Sequence, residues 1–265
     1  MTMRFATAQV ATGPRLHYAE HGDADGQAVV FLHGWPDSWF SFSSVMELLP
    51  ARLHAFSLDQ RGFGESEKPE GGYGVDVFAA DVVAFFEAKG IDRGAVVGHS
   101  FGSFVVRRVA IAYPERVARL VLIGSGLTPA NPVTREVQAT LPGISDPIPR
   151  QFARDFQAGT LYAPVLPTFF EQTVDESLKL PARLWRDVFD ALLTYVDSDQ
   201  LARISAKTLL IWGEHDALFP RTDQDLLTRA IRDATLNVYP GTGHCPNWER
   251  PEQVAADLAA FLQWP

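Results

Sequence analysis

The 265-residue chain carries a single cysteine, Cys245. No internal disulfide can form, so the fold does not lean on an oxidising compartment. Positive charge is also scarce: 23 Lys and Arg stand against 32 Asp and Glu, for a formal charge of -9. Nucleic acid and anionic membranes are bound through basic patches, so this acidic balance argues against both as partners. No run approaches the roughly twenty apolar residues of a membrane span. The opening Met1-Thr2-Met3-Arg4-Phe5-Ala6 lacks the apolar centre of a secretory signal, and the expectation is a soluble, cytoplasmic protein. The seven histidines are scattered without ligand spacing, so no metal is expected, and no cofactor either.

The chain does hold a hydrophobic content of 46%, enough for one large α/β core at this length. Strand-like runs near Arg15 to Glu20, Val29 to Leu32, Ala55 to Leu58, Ala95 to Val97, Leu120 to Ile123, Thr208 to Trp212 and Leu236 to Tyr239 alternate with helical stretches. That alternation predicts a mostly parallel sheet covered on both faces. Helices are expected over Trp39 to Leu49 behind Asp37 or Ser38, over Asp76 to Lys89 before Gly90, and over Pro251 to Leu262. From about Leu127 to Leu201 the alternation stops. Prolines cluster at Pro129, Pro132, Pro142, Pro147 and Pro149, helical patterns follow, and the segment reads as an insertion.

One serine stands out. Gly98-His99-Ser100-Phe101-Gly102 follows the apolar Ala95-Val96-Val97 and precedes the helix-like Ser103-Phe104-Val105-Val106. A G-x-S-x-G pattern alone is weak, but between a buried strand and a helix it describes a sharp turn that lifts its serine above the sheet edge. The helix behind it aims unpaired N–H groups at the same spot, where they suit a developing oxyanion. A serine hydroxyl is a poor nucleophile at neutral pH and needs a base and an orienting acid. His244 follows the strand-like Leu236-Asn237-Val238-Tyr239, and Asp216 follows Thr208-Leu209-Leu210-Ile211-Trp212. In parallel sheets catalytic groups gather beyond the carboxyl ends of the strands, so these three can meet. Glu214, Asp223 and Asp225 are further candidates for the acid.

Here the chain resembles the α/β-hydrolase superfamily over nearly its whole length. The likeness rests on His33-Gly34-Trp35-Pro36, on Asp59-Gln60-Arg61-Gly62-Phe63-Gly64-Glu65-Ser66, on the serine elbow and on the late Asp216–His244 pair. The resemblance implies an α/β-hydrolase fold, with a core of residues 1–126 and 202–265 and a helical cap of residues 127–201. It further implies Ser100 as nucleophile, His244 as general base, Asp216 as acid, and an oxyanion hole made by the Trp35 and Phe101 N–H groups. Part of the family places the acid after the strand that follows the elbow helix. This chain has Gly124-Ser125-Gly126 there, which supports Asp216.

The His-Gly-x-Pro loop is similar to that of haloalkane dehalogenases and epoxide hydrolases, which attack carbon with an aspartate. A serine alkyl ether would have no comparable exit, so acyl transfer is the expected chemistry, on a small ester or lactone. A perhydrolase like the cofactor-free haloperoxidases, a C–C hydrolase, and a triad-retaining small-molecule receptor are the alternatives. Phe152, Phe156, Tyr162, Phe169, Trp185 and Tyr195 of the insertion are expected to line the substrate pocket, with packing of insertion onto core as the competing role. His33 and His99 read as structural, Arg61 with Asp59 as a brace for its turn, and Cys245 as a small buried residue.

Overall fold

The computed structural model describes residues 3–264. Its strands are β1 (Arg4–Gln9), β2 (Arg15–His21), β3 (Gln27–Leu32), β4 (Leu53–Leu58), β5 (Gly94–His99), β6 (Val117–Ile123), β7 (Lys207–Gly213) and β8 (Ala234–Tyr239). The helices are α1 (Ser43–Leu48), α2 (Val75–Ala88), α3 (Phe101–Ala112), α4 (Pro132–Thr140), α5 (Arg150–Gly159), α6 (Pro167–Leu178), α7 (Ala182–Leu193), α8 (Arg221–Ala230), α9 (Pro246–Glu249) and α10 (Pro251–Phe261). The strands form a sheet in the order β1-β2-β4-β3-β5-β6-β7-β8. β1 and β2 pair antiparallel, as do β2 and β4, and every later pairing is parallel.

Side-chain alternation along the strands divides the core in two. Val30, Leu32, Val96, Leu120, Leu122 and Leu210 face α2, α3 and the insertion. Val29, Phe31, Ala95, Val97, Val121 and Ile211 face α1 and α10. β5 lies between β3 and β6 with all six residues buried, as a parallel strand covered on both faces must be. Its carboxyl end therefore opens at the middle of the sheet.

β1 escaped the sequence reading because only Ala8 of its six residues is buried. An edge strand with no inward face to fill carries no apolar alternation. The helix expected over Trp39 to Leu49 is divided into a 3-10 turn, Trp39–Phe42, and α1. Ser38 caps the turn from Oγ, while Asp59 accepts the Trp39 N–H and Ser57 donates to the Trp39 carbonyl. Between β6 and β7 stand α4 to α7 with no strand among them. Among the described residues no helix is long and apolar enough to cross a membrane.

Candidate active site

Ser100 is the one non-glycine residue with positive φ among those described, at φ 50 and ψ -117. Such a conformation costs on the order of 1–3 kcal/mol and persists only where surroundings impose it. They do so here through contact: a Cβ on Gly98 would lie 2.2 Å from the Gly102 carbonyl oxygen, and one on Gly102 would lie 2.2 Å from that of Leu32. Strand, turn and helix meet at distances that only glycine permits. The Ser100 N–H is tied to the Ile123 carbonyl at 2.9 Å.

The structure brings the three residues singled out in the sequence together. His244 Nε2 lies 2.9 Å from Ser100 Oγ, and His244 Nδ1 lies 2.9 Å from Asp216 Oδ2. An ionised carboxylate can only accept, so Nδ1 carries the proton and Nε2 presents its lone pair to the serine hydroxyl. Asp216 Oδ1 accepts from the N–H groups of Leu218 and Phe219 at 2.8 and 3.0 Å, which holds the carboxylate in place. Gly124 shows why no acid follows β6: a Cβ there would sit 2.7 Å from the His244 carbonyl oxygen.

Trp35 and Phe101 flank the serine on separate segments, one after β3 and one opening α3. The Phe101 N–H belongs to the first helical turn, where no intrahelical acceptor exists. Neither it nor the Trp35 N–H finds an acceptor among the described residues. His33 and His99 brace the site from behind. The buried His33 accepts from the Gln60 N–H at 3.2 Å, and burial pushes its imidazole down to about 4. Burial likewise holds His99 well below the usual imidazole range, and its Nε2 donates to the His244 carbonyl at 3.0 Å. Burial pushes the Cys245 thiol well up from its ordinary value, and its Sγ lies 3.3 Å from Thr160 Oγ1.

A cavity joins these groups to the insertion. Apart from Ser100 and His244, its walls include Trp35, Phe104, Phe156, Phe189, Leu192 and Phe219. It is narrow, with a cavity volume of about 30 Å³, where one buried water needs roughly 10–15 Å³.

Of the six insertion residues expected to line the pocket, only Phe156 does. Trp185 is wholly buried behind Trp35, its ring 5.0 Å from that indole, and Phe152 packs behind Trp185 at 5.7 Å. Phe169 stacks on Phe40 at 5.0 Å, while Tyr162 lies exposed over His215 at 3.8 Å. Tyr195 donates to Asp197 at 3.1 Å. Packing took Trp185, Phe152 and Phe169, whose helices turn them toward neighbouring elements, while Tyr195 is held by Asp197 and Tyr162 stays at the surface. Arg61 is a second correction: it pairs with Asp81 of α2, while Asp59 receives His17 and the N–H groups of Trp39 and Glu65. Asp37, a candidate helix cap in the sequence, instead lines the cavity, as do Gln157 and Thr160, which no sequence pattern marked. Phe104 and Phe219 were the legible omissions, one helical turn beyond Ser100 and three residues beyond Asp216.

A central parallel strand ending in a serine turn, with a carboxylate and an imidazole on the loops of later strands, gathers these groups at the carboxyl edge of the sheet, the arrangement of the α/β-hydrolase class. The chain belongs to the alpha/beta hydrolase fold family, whose model matches residues 27–251. It is 31% identical over 281 residues to a non-heme chloroperoxidase of Streptomyces lividans, covering 97% of this chain and 99% of that one. Epoxide hydrolase 3 of Mus musculus is 24% identical over 296 residues, covering 99% of this chain and 78% of the relative. A thermophilic esterase from Thermogutta terrifontis shares the fold with a TM-score of 0.85 at 23% identity, covering 98% of each chain.

Proposed function

We propose that this protein is a serine hydrolase that cleaves esters or lactones of small, largely apolar substrates through an acyl-enzyme. The observation that carries the reading is the unbroken hydrogen-bond line Ser100 Oγ–His244 Nε2, His244 Nδ1–Asp216 Oδ2, with 2.9 Å at both links. Ser100 Oγ attacks the carbonyl carbon as its proton passes to His244 Nε2. Asp216 stabilises the imidazolium, while the Trp35 and Phe101 N–H groups and the amino end of α3 receive the oxyanion. The carbon–oxygen bond to the alcohol then breaks and His244 returns the proton to the leaving oxygen. Water repeats the sequence: it attacks the acyl carbon, gives a proton to His244, and Ser100 Oγ leaves and takes that proton back.

A carboxylate nucleophile, as carbon attack on an epoxide requires, is absent from the elbow, where position 100 is serine. The insertion, residues 127–201, acts in this reading as a roof that excludes water and, with the narrow cavity, selects small acyl groups. Likeness to a non-heme chloroperoxidase over 97% of the chain favours one second reading. In it hydrogen peroxide replaces water as acyl acceptor, and the product is a peroxyacid.

Ser100→Ala is expected to lower kcat on nitrophenyl acetate by roughly 10³- to 10⁶-fold. A folded variant that kept parental turnover would overturn the scheme. Assaying the parent with acetate, peroxide and a halide trap separates the two acceptors, since only peroxyacid formation gives halide oxidation dependent on acetate.

A further inference from the structure

Glu249, the last residue of α9, is a buried carboxylate that the chemistry above does not use. The residue is 6% exposed and forms no ion pair with an Arg or Lys among the described residues. The partners of both its oxygens are backbone amides. The Gly243 N–H lies 3.0 Å from Oε1 and 3.0 Å from Oε2, and the Ala163 N–H lies 2.6 Å from Oε2. Gly243 precedes His244; Ala163 belongs to the loop between α5 and α6 of the insertion. One carboxylate thus joins two segments 80 or more positions apart. Both N–H groups converge on Oε2, with the Gly243 N–H shared to Oε1, so one carboxylate satisfies two buried donors at a single point. A glutamine with its oxygen at Oε2 would keep both partners, whereas a leucine of similar size removes both acceptors.

The same loop bears on His244 directly. The His244 N–H donates to the Thr160 carbonyl at 3.0 Å. A Cβ on Gly243 would lie 2.6 Å from the Tyr162 nitrogen and 3.0 Å from the Thr160 carbonyl oxygen, so the two backbones are in contact. Thr160 lines the cavity, and so does Gln157 one turn earlier, which donates to Asp37 Oδ1 at 2.8 Å beyond the Trp35–Pro36 loop. Residues 157–163 therefore touch the cavity, the histidine turn and the loop bearing the proposed oxyanion donor.

We propose that Glu249 is a positioning residue: it fastens the insertion's 160–163 loop to the histidine turn, so that the roof of the cavity sets the register of His244 with Ser100. The inference rests on the reading of Ser100 and His244 as the reacting pair. A group that fills the cavity against Thr160 then bears on the residue whose carbonyl holds the histidine backbone. Without Glu249 the turn is free to shift, and a displacement near 1 Å is enough to slow proton transfer about a hundredfold.

The test compares Glu249→Leu with the parent on nitrophenyl acetate, with active sites counted by fluorophosphonate labelling of Ser100. Glu249→Leu is expected to lower kcat per labelled site about 10- to 100-fold, with KM within about threefold and labelling slowed in parallel. A merely structural role would lower the melting temperature and the labelled fraction while leaving kcat per labelled site at the parental value, and that result overturns the proposal. If the Leu variant does not fold, Glu249→Asp keeps the charge and shortens the reach. A smaller loss of kcat per site supports the proposal, and parental kcat per site in the folded Asp variant overturns it. Failure of the parent to label at Ser100 would strike the hydrolase reading itself, which keeps the two failures apart.

Discussion

Asp37 stands in the cavity wall with no Arg or Lys against it; His244, His99 and Cys245 are the titratable groups that share that wall. Burial pushes its carboxyl up to about 6 from the ordinary 3.8, against the lowering effect of hydrogen bonds from Gln157 and Ser41. The folded chain thus holds this proton more tightly than the unfolded chain does. The group's contribution favours folding at the acid end and is lost as pH rises between the two values. Asp37→Asn keeps the bond from Gln157 and cannot ionise. Urea midpoints of the two proteins are expected to coincide near pH 4 and to diverge in favour of Asn up to neutrality, by at most about 3 kcal/mol. A difference that stays flat with pH would show that the ionised side chain is fully compensated. Ser100, His244 and Asp216 were legible in the sequence because local motifs and chain order marked them. Asp37 and Glu249 were not, since their partners Gln157 and Ala163 lie 120 and 86 positions away.

Helix α3, which begins just after Ser100, also anchors the insertion at both ends. Arg107 is wholly buried and pairs with Asp197 through two bonds, at 2.8 and 2.6 Å. It also donates to the carbonyls of Gly126 and Leu127 at 2.8 and 3.3 Å. Leu127 begins the insertion, and Asp197 stands near its end. The guanidinium thus ties the entering and leaving chain to the elbow helix. Arg107→Leu strands a buried carboxylate and is expected to destabilise the protein by about 3–5 kcal/mol, whereas adding Asp197→Leu should restore much of that loss. Denaturant midpoints of the two single variants and the double variant test this, and strictly additive losses would contradict the coupling. In the sequence Arg107 looks like an ordinary helix charge after Val105-Val106. The strands, by contrast, were legible wherever they are buried, because their apolar runs are the signal; β1 has one buried residue and gave none.

For the molecule as a whole, in the proposed reaction the enclosed space between sheet and insertion sets which acyl groups fit. Acetyl and propionyl esters are expected to exceed octanoyl esters in kcat/KM, and Leu192→Ala or Phe189→Ala to raise hexanoyl turnover about tenfold, since each methylene accommodated is worth roughly 1–3 kcal/mol. A chain-length series on the parent and both variants checks this, and an unchanged preference would place the acyl group elsewhere. The sequence by itself determined the α/β alternation, the central buried strand and the glycine-flanked serine turn, because sterics and side-chain periodicity act between near neighbours. Only the tertiary structure decided which rings see the cavity, why Arg61 leaves Asp59 for Asp81, and how the insertion grips the histidine turn. Successive helical residues point about 100° apart, so the docking of each helix, which its own residues do not specify, chooses the side chain that faces inward.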